Sequence, residues 1–308
     1  MEALATPFLL LVGGLLALQG AANVQLATAM GSPFGASTLQ LGIGALLLLA
    51  LAALGGSLGA FQLLDQAEPW ALAGGVGSAV YITAGILLFP RLGALVAVGL
   101  FIAGQMLASV LLDGFGWLGV AADPPSSATF AGATAVVVGT GLIVRAQAGG
   151  RAFEEGARTR SGWIVLALVA GAALPVQGAI NAQLDAELDA AIAVGAFSFT
   201  VATAAMALAL GGILATGAPR PQVAPLRAVP WWGWLGGLCG ATYVTAVFSL
   251  IPEIGAAAVV VLTVAGQQLA SVAVDRYGLL RLPRRPISRR RLLGVAVLLA
   301  GVALITLG

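Results

Sequence analysis

Apolar stretches long enough to cross a bilayer, about 18 residues or more, follow one another along this whole chain and are broken only by short polar connectors. Charged residues make up 8% of the 308 positions and hydrophobic ones 60%, where a soluble domain carries about 25% charged residues. A soluble globular fold is therefore excluded. The apolar runs are continuous rather than alternating, which also argues against an outer-membrane barrel. Ten helical segments are predicted, at 7–28, 36–59, 70–89, 92–113, 128–145, 162–184, 190–215, 231–251, 254–275 and 290–307.

The segments repeat. LALQGAANVQL (Leu16 to Leu26) returns as LPVQGAINAQL (Leu174 to Leu184), with seven of eleven positions identical and all three amides kept. Residues 74–117 set against 236–279 give 21 identities in 44 positions. Tyr81 meets Tyr243, Pro90 meets Pro252, Gly93 meets Gly255, Gln105 meets Gln267, Ser109 meets Ser271 and Asp113 meets Asp275. Shared polar residues in order are strong evidence of duplication in an apolar chain. In the second segment the match weakens: TLQLGI (Thr38 to Ile43) is set against SFTVAT (Ser198 to Thr203).

Five spans per unit is an odd number, so the second unit must enter the membrane upside down. The fold expected is an all-α membrane protein of ten transmembrane helices arranged as two five-helix inverted repeats. Residues 1–148 form the first repeat, 149–161 a polar linker, and 162–308 the second repeat. All 14 basic residues are Arg, and all fall in the connectors on one side. The positive-inside rule makes that side cytoplasmic, with both termini outside and the 149–161 linker cytoplasmic. The N-terminus lacks a basic n-region, so no cleaved signal peptide is expected.

Composition also limits the chemistry. The chain has no His and a single Cys, Cys239. Its acids lie in connectors and at helix ends. Acid–base, metal or nucleophilic catalysis needs convergent groups of those kinds, so an enzyme is not expected. Neither is a cofactor or a metal. No P-loop is present for ATP coupling. The partners expected are a small-molecule substrate and the lipid bilayer, not nucleic acid. The arginine-rich stretch 281–291 reads as a topology determinant that meets anionic headgroups. A monomer is expected, with a dimer left open.

Candidate site residues come from the repeat. Gln19 and Gln177 fall near mid-membrane, with Asn23 and Asn181 one turn further on the same face. Tyr81 and Tyr243 sit mid-segment, and Gln105 and Gln267 lie deep in segments 4 and 9. Two readings stand for these amides: lining of a midplane cavity between the repeats, or hydrogen-bonding glue between helices. Gln25 and Gln183 read as interfacial. Ser109 and Ser271 read as bonded back to their own helices. Trp70, Trp231, Trp232 and Trp234 read as an interfacial belt, and Gly233, Gly236, Gly237 and Gly240 as close-packing positions. Asp275 abuts Arg276 and reads as an ion pair or cap.

The repeated phrase QGxxNxQL, PWWGWLGGLCGATYV (Pro230 to Val244), IPEIGAA (Ile251 to Ala257), AGQQLASVAVDRYGL (Ala265 to Leu279) and the basic connector before the last segment resemble the YdcZ-like branch of the drug/metabolite transporter superfamily, in a fused two-domain form. The resemblance covers nearly the whole chain. It implies the fold of that superfamily and a bacterial inner-membrane transporter that acts as an exporter. It transfers no binding residues. Joined to the amide pattern, it gives an exporter of a small neutral, zwitterionic or amphiphilic metabolite working by alternating access. The alternatives are a proton-coupled organic-cation or drug exporter, or a channel or non-transporting scaffold.

Overall fold

A computed structural model describes residues 2–120, 122, 125–147, 157–254 and 256–307. The expectations for Arg151 and Gly255, and for the side chains of Arg158, Arg160 and Pro252, lie outside what it describes. The described residues form ten α-helices and no strand: α1 Glu2–Met30, α2 Pro33–Leu54, α3 Gly75–Leu92, α4 Ala94–Phe115, α5 Ser127–Gln147, α6 Ala157–Leu188, α7 Ala191–Ala215, α8 Gly236–Ile254, α9 Ala256–Tyr277 and α10 Arg289–Leu307. Seven of them are long and apolar enough to span a membrane over described residues. α6 begins at Ala157, inside the stretch predicted as linker.

Leucines cover the outside as well as the inside. Leu46, Leu54 and Leu208 are exposed, as are Val165 and Val169. Helices apolar all round suit a bundle whose outer surface meets lipid.

The two repeats interleave rather than sit side by side. α1 packs on α8 and α9, and its counterpart α6 packs on α3 and α4. α2 meets α8 as α7 meets α3. α2 with α7, α4 with α9, and α5 with α10 pair across the pseudo-two-fold. Glycine makes these crossings possible. A Cβ at Gly13 would overlap the Thr263 carbonyl of α9, and one at the equivalent Gly171 would overlap the Phe101 carbonyl of α4. Gly266 lies in the same way against the carbonyl of Leu10, and Gly104 against that of Leu168. In a bilayer no water-driven force separates lipid from helix, so close backbone approach is what association gains from.

Contacts between connectors establish the inversion. Gln222 N–H donates to the Met30 carbonyl at 2.9 Å, which joins the α7–α8 connector to the end of α1. The Gln25 amide donates to the Leu280 carbonyl at 2.8 Å, and Gln183 donates to Glu187 at 3.1 Å. Arg91, in the last turn of α3, stacks its guanidinium 4.6 Å from the ring of Trp163 near the start of α6. Arg285, before α10, donates to the carbonyls of Pro90 and Arg91. The connectors that bear arginine thus gather at one end of the bundle. α1 runs toward that end and α6 runs away from it.

That end is closed by a buried ionic cluster. Asp275 at the end of α9 accepts from the N–H groups of Ala94 and Leu95, at 2.9 and 3.3 Å, and so caps α4 of the other repeat. Its carboxylate also takes Arg291 of α10 at 2.8 Å, with side chains 2% and 3% exposed. Asp275 is therefore a cap and an ion pair, but its partner is Arg291 and not the adjacent Arg276. The guanidinium of Arg276 lies over its neighbour Tyr277 instead.

Register within the second segment differs from the alignment read in the sequence. Gly75 sits against the Ser198 carbonyl, and its counterpart Gly237 sits against the Gln40 carbonyl. Gln40 is thus equivalent to Ser198, two residues from the expected pairing with Thr200. Two apolar helices of low sequence contrast leave such a slip invisible until a glycine crossing fixes it.

Candidate functional site

Between the repeats lies a cavity of about 210 Å³. It is lined by Gln19 and Leu16 of α1, Tyr81 and Ser78 of α3, Gln105 and Ser109 of α4, Gln177 and Asn181 of α6, Phe199 of α7, Gly240 and Tyr243 of α8, and Thr263 of α9, among others. Among the described residues no Asp, Glu or Arg lines it. Ser78 is on the first turn of α3, and Ser109 and Asn181 are on the last two turns of α4 and α6. The cavity therefore reaches from the middle of the bundle toward the arginine-free end.

Small residues admit the amides. A Cβ at Gly77 would press on the Gln177 side chain, and one at Gly240 would press on the Gln19 amide. Asn181 seats its Oδ1 where a Cβ at Gly74 would be, and Asn23 does the same at Gly236. Each amide of one repeat therefore rests on a glycine of the other.

Hydrogen bonding separates the two readings of these amides. Glue requires satisfied partners. Gln40, which the sequence reading passed over, has them: its Nε2 donates to the Gly233 carbonyl at 3.1 Å, and its Oε1 accepts from the Gly237 N–H at 2.5 Å. Gln40 pins the start of α8 to α2. Asn181 donates to Ser198 Oγ at 3.1 Å. The cavity glutamines differ. Gln105 Nε2 and Gln177 Oε1 are buried without a partner. Buried polar groups in folded proteins are nearly always bonded to protein or water. These donors and acceptors face a cavity wide enough for several waters.

The structure does not bring all eight candidates together. Gln19, Tyr81, Gln105, Gln177, Asn181 and Tyr243 line the central cavity. Asn23 lines a separate void of about 10 Å³, together with Gln19 and Tyr81. Gln267 lines neither, although both of its amide atoms are buried and unpartnered. The preceding Gly266 draws this part of α9 tight against α1, which leaves its amide in a packed interior. Ser271 bonds back to the Gln268 carbonyl at 2.8 Å, as expected, whereas Ser109 faces the cavity. Phe199, Thr263 and Ser78 were not singled out in the sequence. None is matched by a like residue in the other repeat: Ser78 meets Gly240, Thr263 meets Phe101 and Phe199 meets Leu41.

Matches to known proteins fit this architecture. The family model described as "Putative inner membrane exporter, YdcZ" matches residues 4–142 and again residues 162–304. The chain belongs to the YdcZ family. Its two matched segments are the two five-helix repeats, and members of the family are assigned to the inner membrane as exporters. No curated protein matches the chain by sequence. A solved crystal structure with 19% sequence identity superposes at a TM-score of 0.59, covering 100% of this chain and 98% of that one. That likeness is one of fold.

Proposed function

We propose that this YdcZ-family chain exports a small neutral, zwitterionic or amphiphilic metabolite by alternating access. In this reading the substrate binds in the central cavity against Gln19, Tyr81, Gln105, Gln177, Asn181 and Tyr243. One observation carries it: an uncharged cavity between inverted repeats in which the glutamines keep unpartnered hydrogen-bonding atoms. Its volume is below the roughly 300 Å³ at which drug-sized pockets begin, which favours a small metabolite. With no guanidinium in the lining among the described residues, a formally anionic substrate would lack a counter-charge there.

Flux of labelled neutral amino acids and related polar metabolites, measured in proteoliposomes, tests the reading. Saturable flux is expected for at least one compound. Gln19→Leu and Gln177→Leu should each lower it about tenfold, the factor that follows from losing one hydrogen bond to a buried polar group. Absence of flux for every compound, with both variants silent in cells, would sink it, and unsaturable flux would mark a channel.

A second reading is an organic-cation exporter. Tyr81 and Tyr243 offer two aromatic faces to the same cavity, and a cation over such a face gains about 0.5–2 kcal/mol. Saturable flux of a quaternary ammonium probe would favour it.

The reading takes residues 1–148 and 162–308 as the two working units, and the chain as a monomer. It places the arginine-rich end in the cytoplasm and both termini outside. A phosphatase reporter that is active only outside the cytoplasm, fused after Gly308, should then be active. A fusion active only with a cytoplasmic reporter would reverse the orientation.

A further inference from the structure

The void beside Asn23 is related to the central cavity by the pseudo-two-fold. The central cavity has Gly178, Asn181, Tyr243, Val247 and Thr263 on its lining. Their counterparts Gly20, Asn23, Tyr81, Gly85 and Phe101 line the void. One set surrounds open space toward the arginine-free end. The other, on the arginine-rich side of Gln19, surrounds about 10 Å³, room for a single water at most.

Two aromatic rings account for the difference. A Cβ placed on Gly20 would lie 2.7 Å from Cε2 and Cζ of Phe89, so that ring rests directly on the α1 backbone. Phe101 leans on Tyr81, with ring centroids 4.8 Å apart. At the related position of Phe101 the second repeat has the small Thr263. Behind the two rings, Asn23 is 0% exposed, and both Nδ2 and Oδ1 lack partners. Its counterpart Asn181 has Ser198 Oγ. Gln40, which stands where Ser198 stands in the other repeat, gives both amide atoms to α8 instead. A fully buried amide with nothing to bond is costly, and such a group calls for a partner, whether a water or a ligand.

From this geometry we infer that the void is a second, closed half-site for the transported ligand, with Asn23 and Gln19 as its polar groups and Phe89 as the plug on its arginine-rich side. The inference rests on the proposed transport function and names where the same neutral, hydrogen-bonding ligand sits before it leaves on the other face. When the α3–α4 hairpin lifts Phe89 off Gly20, the half-site opens toward the arginine-rich end. Asn23 then takes the ligand contact that Asn181 makes in the central cavity.

The test uses the full chain with Cys239→Ala and a single probe, Gly85→Cys. A Cβ at Gly85 has its nearest neighbour at 4.0 Å, so the backbone accepts a side chain there. A membrane-impermeant methanethiosulfonate reagent is applied to vesicles of either orientation. Reaction is expected from the arginine-rich face only. Phe89→Ala should speed it about tenfold, because a missing plug raises the open population in proportion. Reaction from the arginine-free face, or none from the arginine-rich face even with Phe89→Ala, would overturn the inference. Flux in Asn23→Leu separates the two proposals. Loss of flux in both Asn23→Leu and Gln177→Leu supports the half-site. Loss in Gln177→Leu alone removes the half-site and leaves the central cavity standing. Flux unchanged in both removes the transport reading itself.

Discussion

Asp275→Ala is expected to cost about 3–5 kcal/mol of stability, the range for breaking one side of a buried ion pair. The reason is what the change leaves behind. Arg291 would keep its guanidinium 3% exposed with no carboxylate, and the N–H groups of Ala94 and Leu95 would lose their acceptor. The pair itself need not be stabilising, because a buried pair replaced whole by apolar groups is often neutral. Asp275→Asn combined with Arg291→Met should therefore recover most of the loss, since the amide oxygen can still cap α4. Thermal unfolding in detergent of the parent, Asp275→Asn, Arg291→Met and the double variant measures the coupling, with Asp275→Ala read beside them. An Asp275→Ala protein as stable as the parent would show that the cluster is hydrated and carries no load. The same geometry changes what the basic connector means. Arg285 ties the α9–α10 connector to the α3–α4 hairpin, and Arg291 ties α10 to Asp275 of α9, in addition to any part in orienting the chain. The corresponding stretch of the first repeat, residues 114–127, has no arginine at all.

Glycine substitutions should divide sharply by position. Gly266→Ala places a methyl on the Leu10 carbonyl, and Gly104→Ala places one on the Leu168 carbonyl. Backbone cannot swing aside as a side chain can. Each change is expected to cost about 1–3 kcal/mol, the usual range for an overpacked site, and Val at either position should cost more. Gly211→Ala and Gly212→Ala in α7 meet nothing within 4 Å. These should be neutral or stabilising by up to about 1 kcal/mol, since Ala favours a helix over Gly. Yield of folded protein by size-exclusion chromatography, with unfolding midpoints, reads both classes. If all four behaved alike, the helix crossings described here would not be the contacts that hold the bundle.

The fold was largely legible because its signals are long. Ten apolar stretches, an odd count per repeat and a matched series of Tyr, Gln, Ser, Asp and Pro leave little room for another arrangement. The candidate site was legible in part. The repeat marked Gln19, Gln177, Tyr81, Tyr243 and Gln105, and these meet at the cavity. It marked Asn23 and Gln267 equally, and these do not reach it. A sequence repeat is symmetric, whereas any one conformation of an inverted-repeat protein is not. Gln40 was missed because its role lies in what it touches: two backbone groups of α8, almost two hundred positions along the chain.

By itself, then, the sequence determined the solvent of this protein, the number of its helices, the inversion of its halves and the kinds of polar group available to a site. Those properties depend on composition, length and order, which are local or additive along the chain. Tertiary structure alone decided which amides are satisfied and which face open space, which Arg pairs with Asp275, and that Phe89 rather than open space lies beside Gly20. These are questions of a few ångströms between helices distant in the chain, and packing settles them only after every crossing is in place.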